Sequence, residues 1–348
     1  MNKMNVAAIV DEKKVGILAV RKPSPGKGEV LVRIKACAIC TWEQRVFTRV
    51  SKMPLPFIGG HEISGVIEEI GQGVDPEEFV IGRHVAVRSL NACGRCYYCR
   101  KGQENLCVEI GKAVEEPHKE IYGPGGLGEY LVANLSDIFM LSDGIPYEVG
   151  AFTEPVACVV NSLKVARVDL GNDVVVIGAG IMGLLHVMLS KLRGAFVIVS
   201  EPDEQRRITA KKLGADIVFN PLDEPLVDKV KDLTEGRGAD VVFNTTAIAK
   251  IAEEAVLATG KMGRVVMYSS IHPDKPIEVS PNWIHNTEVN ITGAVSPSIE
   301  SFYVASVLLS KGIIDPSPLI SAQYPLEETQ KAFEDSIRPD TYRIIVKM

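Results

Sequence analysis

The chain has 348 residues, enough for two domains with sizeable cores. Its composition is that of an ordinary soluble globular protein, and a formal net charge of −6 argues against a phosphate-tracking surface for nucleic acid. No apolar stretch is long enough to span a bilayer and the first residues lack a signal-peptide core, so the expectation is a cytoplasmic protein without membrane contact.

The first third reads as short strands. Glu29–Ala36 alternates and then becomes apolar, Glu62–Ile70 alternates again, and Arg83–Val87 is a third run. Pro25-Gly26, Gly71-Gln72-Gly73 and Gly82 bound them, a pattern that predicts a partly open barrel. Cys40 and Gly60-His61-Glu62 lie among these runs. Thiolate, imidazole and carboxylate together suit a zinc site with an open position. Cys93, Cys96 and Cys99, followed by Cys107, suit a closed one, because four thiolates from one looping segment saturate the ion. In a reducing compartment such clustering favours metal over disulfides. Cys37 and Cys158, in apolar and small-residue surroundings, read as buried fillers. His84, His118, His186, His272 and His285 read as core, surface or supporting residues.

The pattern changes near residue 150. Residues 146–166 have helical spacing, with Pro155 as an interruption. Strands then alternate with helices: strands at Val174–Ile177, Phe196–Val199, Ile217–Phe219, Val241–Phe243, Arg264–Met267 and Val289–Thr292, and helices at Ile181–Leu192, Glu204–Leu213, Glu224–Thr234 and Ile248–Ala258. Continuous β-branched runs separated by helices predict an α/β unit with a parallel sheet covered on both faces. Helices near Ile299–Ser310 and Leu326–Ser336 and a strand at Tyr342–Val346 close the chain.

Gly178-Ala179-Gly180-Ile181-Met182-Gly183 follows the first of these strands and opens a helix. In that context the motif is a dinucleotide turn: Gly178 for the tight bend, Gly180 for approach of a pyrophosphate, Gly183 for helix–strand packing. The helix N-terminus offers unpaired N–H groups to the phosphates. The next strand ends at Ser200-Glu201. A carboxylate there accepts hydrogen bonds from both ribose hydroxyls and repels a 2′-phosphate, which favours NAD over NADP. Arg206 and Arg207 pull the other way, since arginine binds that phosphate. The bland alternative is a tight turn with no ligand.

Cys40, Gly60-His61-Glu62, the four-cysteine lobe, Gly128-Glu129-Tyr130, Thr153-Glu154-Pro155 and the glycine motif occur in one order. In that order they resemble the zinc-dependent medium-chain alcohol and polyol dehydrogenases along essentially the whole chain. The resemblance implies a Rossmann coenzyme domain (156–295) inserted in a β-rich GroES-like catalytic domain (1–155 and 296–348) with a structural zinc lobe at about 90–110. Glu154 stands where classical alcohol dehydrogenases have cysteine and polyol and threonine dehydrogenases have glutamate, so the chain is similar to the sorbitol-dehydrogenase-like branch. Two zinc ions per chain are implied. Cys40, His61 and Glu62 hold the catalytic ion, with water, substrate or Glu154 in the remaining position; Cys93, Cys96, Cys99 and Cys107 hold the structural one. A helix-terminal acid beside Pro155 is the plainer account of Glu154.

One departure bears on mechanism. The family usually carries Gly, a hydroxyl residue and Asp after the first ligand, where this chain reads Thr41-Trp42-Glu43. Glu43 keeps the acid that supports the histidine, with Arg343 as its candidate partner. For proton passage Glu154, acting through bound water, comes first and Thr41 second. Trp42, Arg45, Phe47 and Ser296-Pro297 border the substrate pocket by family position, and an aromatic wall there fits stacking on a sugar face. The expected activity is hydride transfer between NAD and a secondary alcohol of a polyol, sugar or sugar acid. Alternatives are an amino-alcohol (threonine-type) or simple diol dehydrogenase, and a non-catalytic NAD(H)-binding regulator. The family resemblance, together with the apolar Val289–Val295 segment read as a sheet edge, implies a homotetramer or homodimer.

Overall fold

Alternating and β-branched runs form fifteen strands among the described residues of the computed structural model, which describes residues 3–90, 92–110 and 122–348. His118 lies outside those residues. The chain divides into two units, Met1–Ala157 with Pro297–Met348, and Cys158–Ser296.

The first unit opens with a hairpin, β1 (Lys3–Asp11) and β2 (Lys14–Arg21), which the sequence patterns above do not include. Next come β3 (Glu29–Ala38), β4 (Glu62–Ile70), β5 (His84–Arg88), β6 (Tyr130–Asn134) and β7 (Ile138–Met140). The second unit contributes β8 (Asp173–Ile177), β9 (Phe196–Ser200), β10 (Ile217–Phe219), β11 (Ala239–Asn244), β12 (Thr259–Met267) and β13 (Asn290–Gly293). The chain then returns to the first unit with β14 (Ile320–Pro325) and β15 (Arg343–Lys347).

In the first unit the order β14-β15-β3-β4-β5-β7 makes a sheet whose two ends stay apart, with β6 also paired to β3. Antiparallel pairing of β3 with β4 sets Ala38 opposite Glu62, and pairing of β15 with β3 brings the chain terminus to the same place. Side chains alternate between faces. Ile63, Val85 and Val87 therefore enter the apolar core, while Glu62 and Ser64 project from the other face.

In the second unit all pairs are parallel and the order is β10-β9-β8-β11-β12-β13. The order reverses beside β8, the place where such sheets leave a crevice at the strands' carboxyl ends. Buried Val175, Ile177, Ile198, Val242 and Val265 form its centre. Burial on both faces explains why these strands read as unbroken apolar runs.

Two local expectations change. The helical stretch breaks at residues 151–152, between Tyr147–Gly150 and Thr153–Ala166, and Pro155 sits in the first turn of the second helix. An amide there has no intrahelical acceptor, so proline costs nothing and does not interrupt. Cys158, on that helix, is partly exposed, whereas Cys37 is fully buried.

Candidate functional site

The helix Thr41–Phe47 begins directly after β3, with Cys40 as its N-cap and Glu43 as the third residue of its first turn. The Glu43 carboxylate is fully buried and reaches back: Oε2 accepts the Cys40 N–H at 3.1 Å, and Oε1 accepts the Gly60 N–H at 2.9 Å. Oε1 also lies 2.7 Å from His61 Nδ1. Burial alone would raise the Glu43 pKa, but the His61 imidazole and backbone N–H groups, that of Gly60 among them, carry it below the ordinary value. The approach depends on Gly60, at φ +94°, where a Cβ would lie 2.6 Å from Cys37 Sγ.

Cys40 Sγ, a ring nitrogen of His61 and a carboxylate oxygen of Glu62 lie within 4.8 Å of one another. Arg343, fully buried, donates from Nη2 to Glu62 Oε1 at 2.8 Å and from Nη1 to the Ile39 carbonyl at 3.2 Å. Arg343 is thus the hydrogen-bonded partner of Glu62, not of Glu43: β15 and β4 flank β3, and register delivers the guanidinium to Glu62. Glu62 Oε2 is left buried without a hydrogen-bond partner. An unsatisfied carboxylate oxygen beside a thiol and an imidazole fits a cation. Burial lifts the Glu62 pKa to about 7; Arg343 opposes the rise and the nearby Glu154 charge adds to it. Glu154 opens the helix Thr153–Ala166 near this group but does not join the three ligand atoms within that distance.

The other expected residues around this set separate clearly. Thr41 is exposed. Trp42 is half-buried, with its ring centroid 5.8 Å from that of His61 and 5.4 Å from that of Phe57. Phe47 borders nothing open: it is fully buried and stacks on Phe333 at 4.9 Å, because helical spacing turns it to the core.

The four lobe cysteines also bring their sulfurs within 4.8 Å of one another. Backbone N–H groups point at them: Cys93 N and Glu109 N at Cys107 Sγ (3.2 and 3.4 Å), and Cys96 N at Cys93 Sγ (3.4 Å). The N–H groups of Cys99 and Val108 draw the Cys96 thiol down to about 6. Amides that favour thiolate over thiol fit a tetrahedral thiolate metal site.

In the second unit the glycine turn joins β8 to the helix Ile181–Leu192. Gly178 has φ +93°, and a Cβ on Gly183 would sit 1.9 Å from the Gly178 carbonyl oxygen. Gly180 caps the helix, with Ile181 and Met182 as its first residues. Glu201 is buried at the end of β9; it accepts the Ala179 N–H at 2.7 Å and the Asp203 N–H at 2.9 Å. Arg207 is spent on the carbonyls of Glu201 and Pro202 (2.8 and 2.6 Å). Arg206 Nη1 lies 3.8 Å from where a Gly180 Cβ would stand, beside the turn. His186 is buried under it: Nδ1 donates to the Met182 carbonyl at 2.7 Å and Nε2 accepts from Ser162 Oγ at 2.9 Å.

Sequence reasoning missed the Arg343–Glu62 pair and the His186–Ser162 bond. Neither has a local signal, since the partners are 281 and 24 residues apart.

Comparison with known proteins agrees with this architecture. Residues 26–143 match the alcohol dehydrogenase GroES-like domain, and residues 182–311 match the zinc-binding dehydrogenases. The L-threonine 3-dehydrogenase of Pyrococcus horikoshii is 34% identical over 91% of this chain and 90% of its own length. The sorbitol dehydrogenase of Bacillus subtilis is 27% identical over 96% of this chain and 94% of its own. A solved alcohol dehydrogenase from Escherichia coli CFT073, complexed with NADH, superposes with a TM-score of 0.89 at 26% identity, covering 100% of both chains. The chain belongs to the zinc-dependent medium-chain dehydrogenases, in their threonine- and sorbitol-dehydrogenase-like branch. It is therefore a zinc-binding oxidoreductase with a Rossmann coenzyme domain inserted in a GroES-like catalytic domain. No helix among its described residues is long and apolar enough to cross a membrane.

Proposed function

We propose that the protein transfers hydride between NAD and a secondary alcohol of a polyol, sugar or sugar acid. Cys40, His61 and Glu62 are the catalytic zinc ligands in this reading, and Cys93, Cys96, Cys99 and Cys107 the structural ones. When bound, zinc supplies Lewis acidity toward the alcohol oxygen and NAD supplies the hydride acceptor. The chain's own residues do the rest. Glu43 holds the His61 tautomer with Nε2 free to ligate, and Arg343 holds one oxygen of Glu62. Glu154, close enough to raise the Glu62 pKa, passes the alcohol proton through water. Gly178, Gly180, Ile181, Met182 and Gly183 receive the pyrophosphate. Glu201 and Arg206 flank the adenosine ribose, the carboxylate favouring NAD.

The observation that carries this reading is the buried, unpartnered Glu62 Oε2 beside Cys40 and His61, a mixed donor set that four-cysteine sites do not offer. A regulator without turnover has no need of such a set. The sorbitol dehydrogenase and the D-arabitol-phosphate dehydrogenase of Enterococcus avium (28% identical) support a polyol-type substrate. The threonine 3-dehydrogenase at 34% identity favours a second reading, an amino alcohol.

NADH formation with a panel of sugar alcohols, sugar acids, L-threonine and butane-2,3-diol, each with NAD and NADP, separates the two. The expected result is turnover of a polyol or sugar acid with NAD. Turnover of threonine alone would replace the substrate assignment. The proposed assembly is a homodimer or homotetramer through β13, the sheet's outer strand, where Ile291 is exposed, as is Val295 just beyond the strand's end. A monomer by light scattering at micromolar concentration would overturn that part.

A further inference from the structure

The first turn of the helix Thr41–Phe47 aims three consecutive residues differently. Thr41 faces solvent, Glu43 is buried beneath His61, and Trp42 lies against the His61 ring. Phe57 and the apolar core hold one side of the indole, with the Phe57 ring at 75° to it. The residue as a whole is half-buried, although the core residues beside it are closed. Among the described residues its Nε1–H meets no acceptor, and that nitrogen is not one of the buried unpartnered atoms, so it keeps contact with solvent. The indole of Trp283 differs, since its nitrogen is buried without a partner.

A large aromatic ring with an unused donor, standing beside a metal-site histidine, is a recognition surface. Its flat face suits the C–H face of a polyhydroxylated chain or ring. Its N–H suits a substrate hydroxyl next to the one being oxidised. We propose that Trp42 is a specificity-determining residue of the catalytic site and selects substrates with several hydroxyl groups over plain secondary alcohols. The inference deepens the proposed polyol reading and rests on it.

The test measures kcat and KM of wild type, Trp42→Phe and Trp42→Ala with the best polyol of the panel and with 2-butanol, with zinc content checked in each. Loss of ring and donor together removes contact area and a hydrogen bond. For Trp42→Ala the expected loss of kcat/KM with the polyol is about 10–100-fold, mostly in KM, and under about 3-fold with 2-butanol. Trp42→Phe keeps a ring against His61 and loses the donor, so its loss is roughly 3–10-fold with the polyol. Equal losses for both alcohols, or no loss with the polyol in zinc-replete variants, would overturn the inference. The wild-type panel tests the substrate class separately: a wild type that ignores every polyol defeats that class and this inference together, while unchanged selectivity in the variants defeats only the inference.

Discussion

Glu43 Oε1 and His61 Nδ1 lie 2.7 Å apart, and the same oxygen accepts the Gly60 N–H at 2.9 Å. One carboxylate therefore fixes both the imidazole tautomer and the backbone that carries it. Metal sites lose about 10–100-fold in affinity when such an outer partner is removed. Glu43→Gln should weaken the catalytic zinc by that factor and leave the lobe zinc in place. Brief chelation of the wild-type protein should likewise remove one zinc and abolish activity, since four thiolates grip harder than a mixed set. Elemental analysis with activity assays checks both; a fully active protein holding one zinc or none would contradict the two-site assignment.

Glu201 is buried and held by the N–H groups of Ala179 and Asp203, so its carboxylate has a fixed position at the end of β9. Glu201→Ala should weaken NAD by roughly tenfold, about the worth of a charge-assisted hydrogen bond, and weaken NADP less, because phosphate repulsion falls at the same time. Dissociation constants for both cofactors decide it. An unchanged ratio would remove Glu201 from ribose recognition.

Glu154→Gln keeps the shape of the side chain and removes its charge and basicity. Zinc content should persist while the hydride-transfer rate falls by roughly 10²–10⁴. Thr41→Val should have little effect, given that Thr41 faces solvent. Single-turnover kinetics beside zinc analysis separate the roles: loss of zinc in Glu154→Gln would make the residue chiefly a ligand, and an inactive Thr41→Val would move the proton route there.

His186 is fully buried and neutral, with its pKa drawn down to about 4 by burial against the bond to the Met182 carbonyl. The unfolded chain, with an ordinary imidazole near 6.5, binds that proton more readily. Stability from this group is therefore complete above about pH 6.5 and is lost as the pH falls toward 4, by roughly 3 kcal/mol at most. Urea unfolding at pH 7 and pH 4.5 should show a smaller pH dependence in His186→Gln than in wild type. An equal dependence would place the acid sensitivity elsewhere.

The α/β alternation, the glycine turn after β8 and the sets of candidate metal donors were legible in the sequence. Each is written locally: β-branched runs give period and burial, Gly178 and Gly183 stand where a side chain would clash, and the four lobe cysteines fall within one segment. The hairpin of β1 and β2 was not legible, because its alternation is mixed and no strong turn dipeptide marks it. Pro155 misled, since a proline at a helix start and one within a helix look alike until the boundary is known.

What only the tertiary structure decided is who meets whom. Sheet register across β15, β3 and β4 gave Arg343 to Glu62, although charge alone allowed either glutamate. The helix Thr41–Phe47 sent Trp42 to His61 and Phe47 to the core, from two positions that both looked like pocket wall, and it sent Thr41, the second candidate for proton passage, to solvent. Composition and motif determined which chemistry the chain carries. The direction of each side chain follows from long-range pairing, which distant segments set together and no single segment encodes.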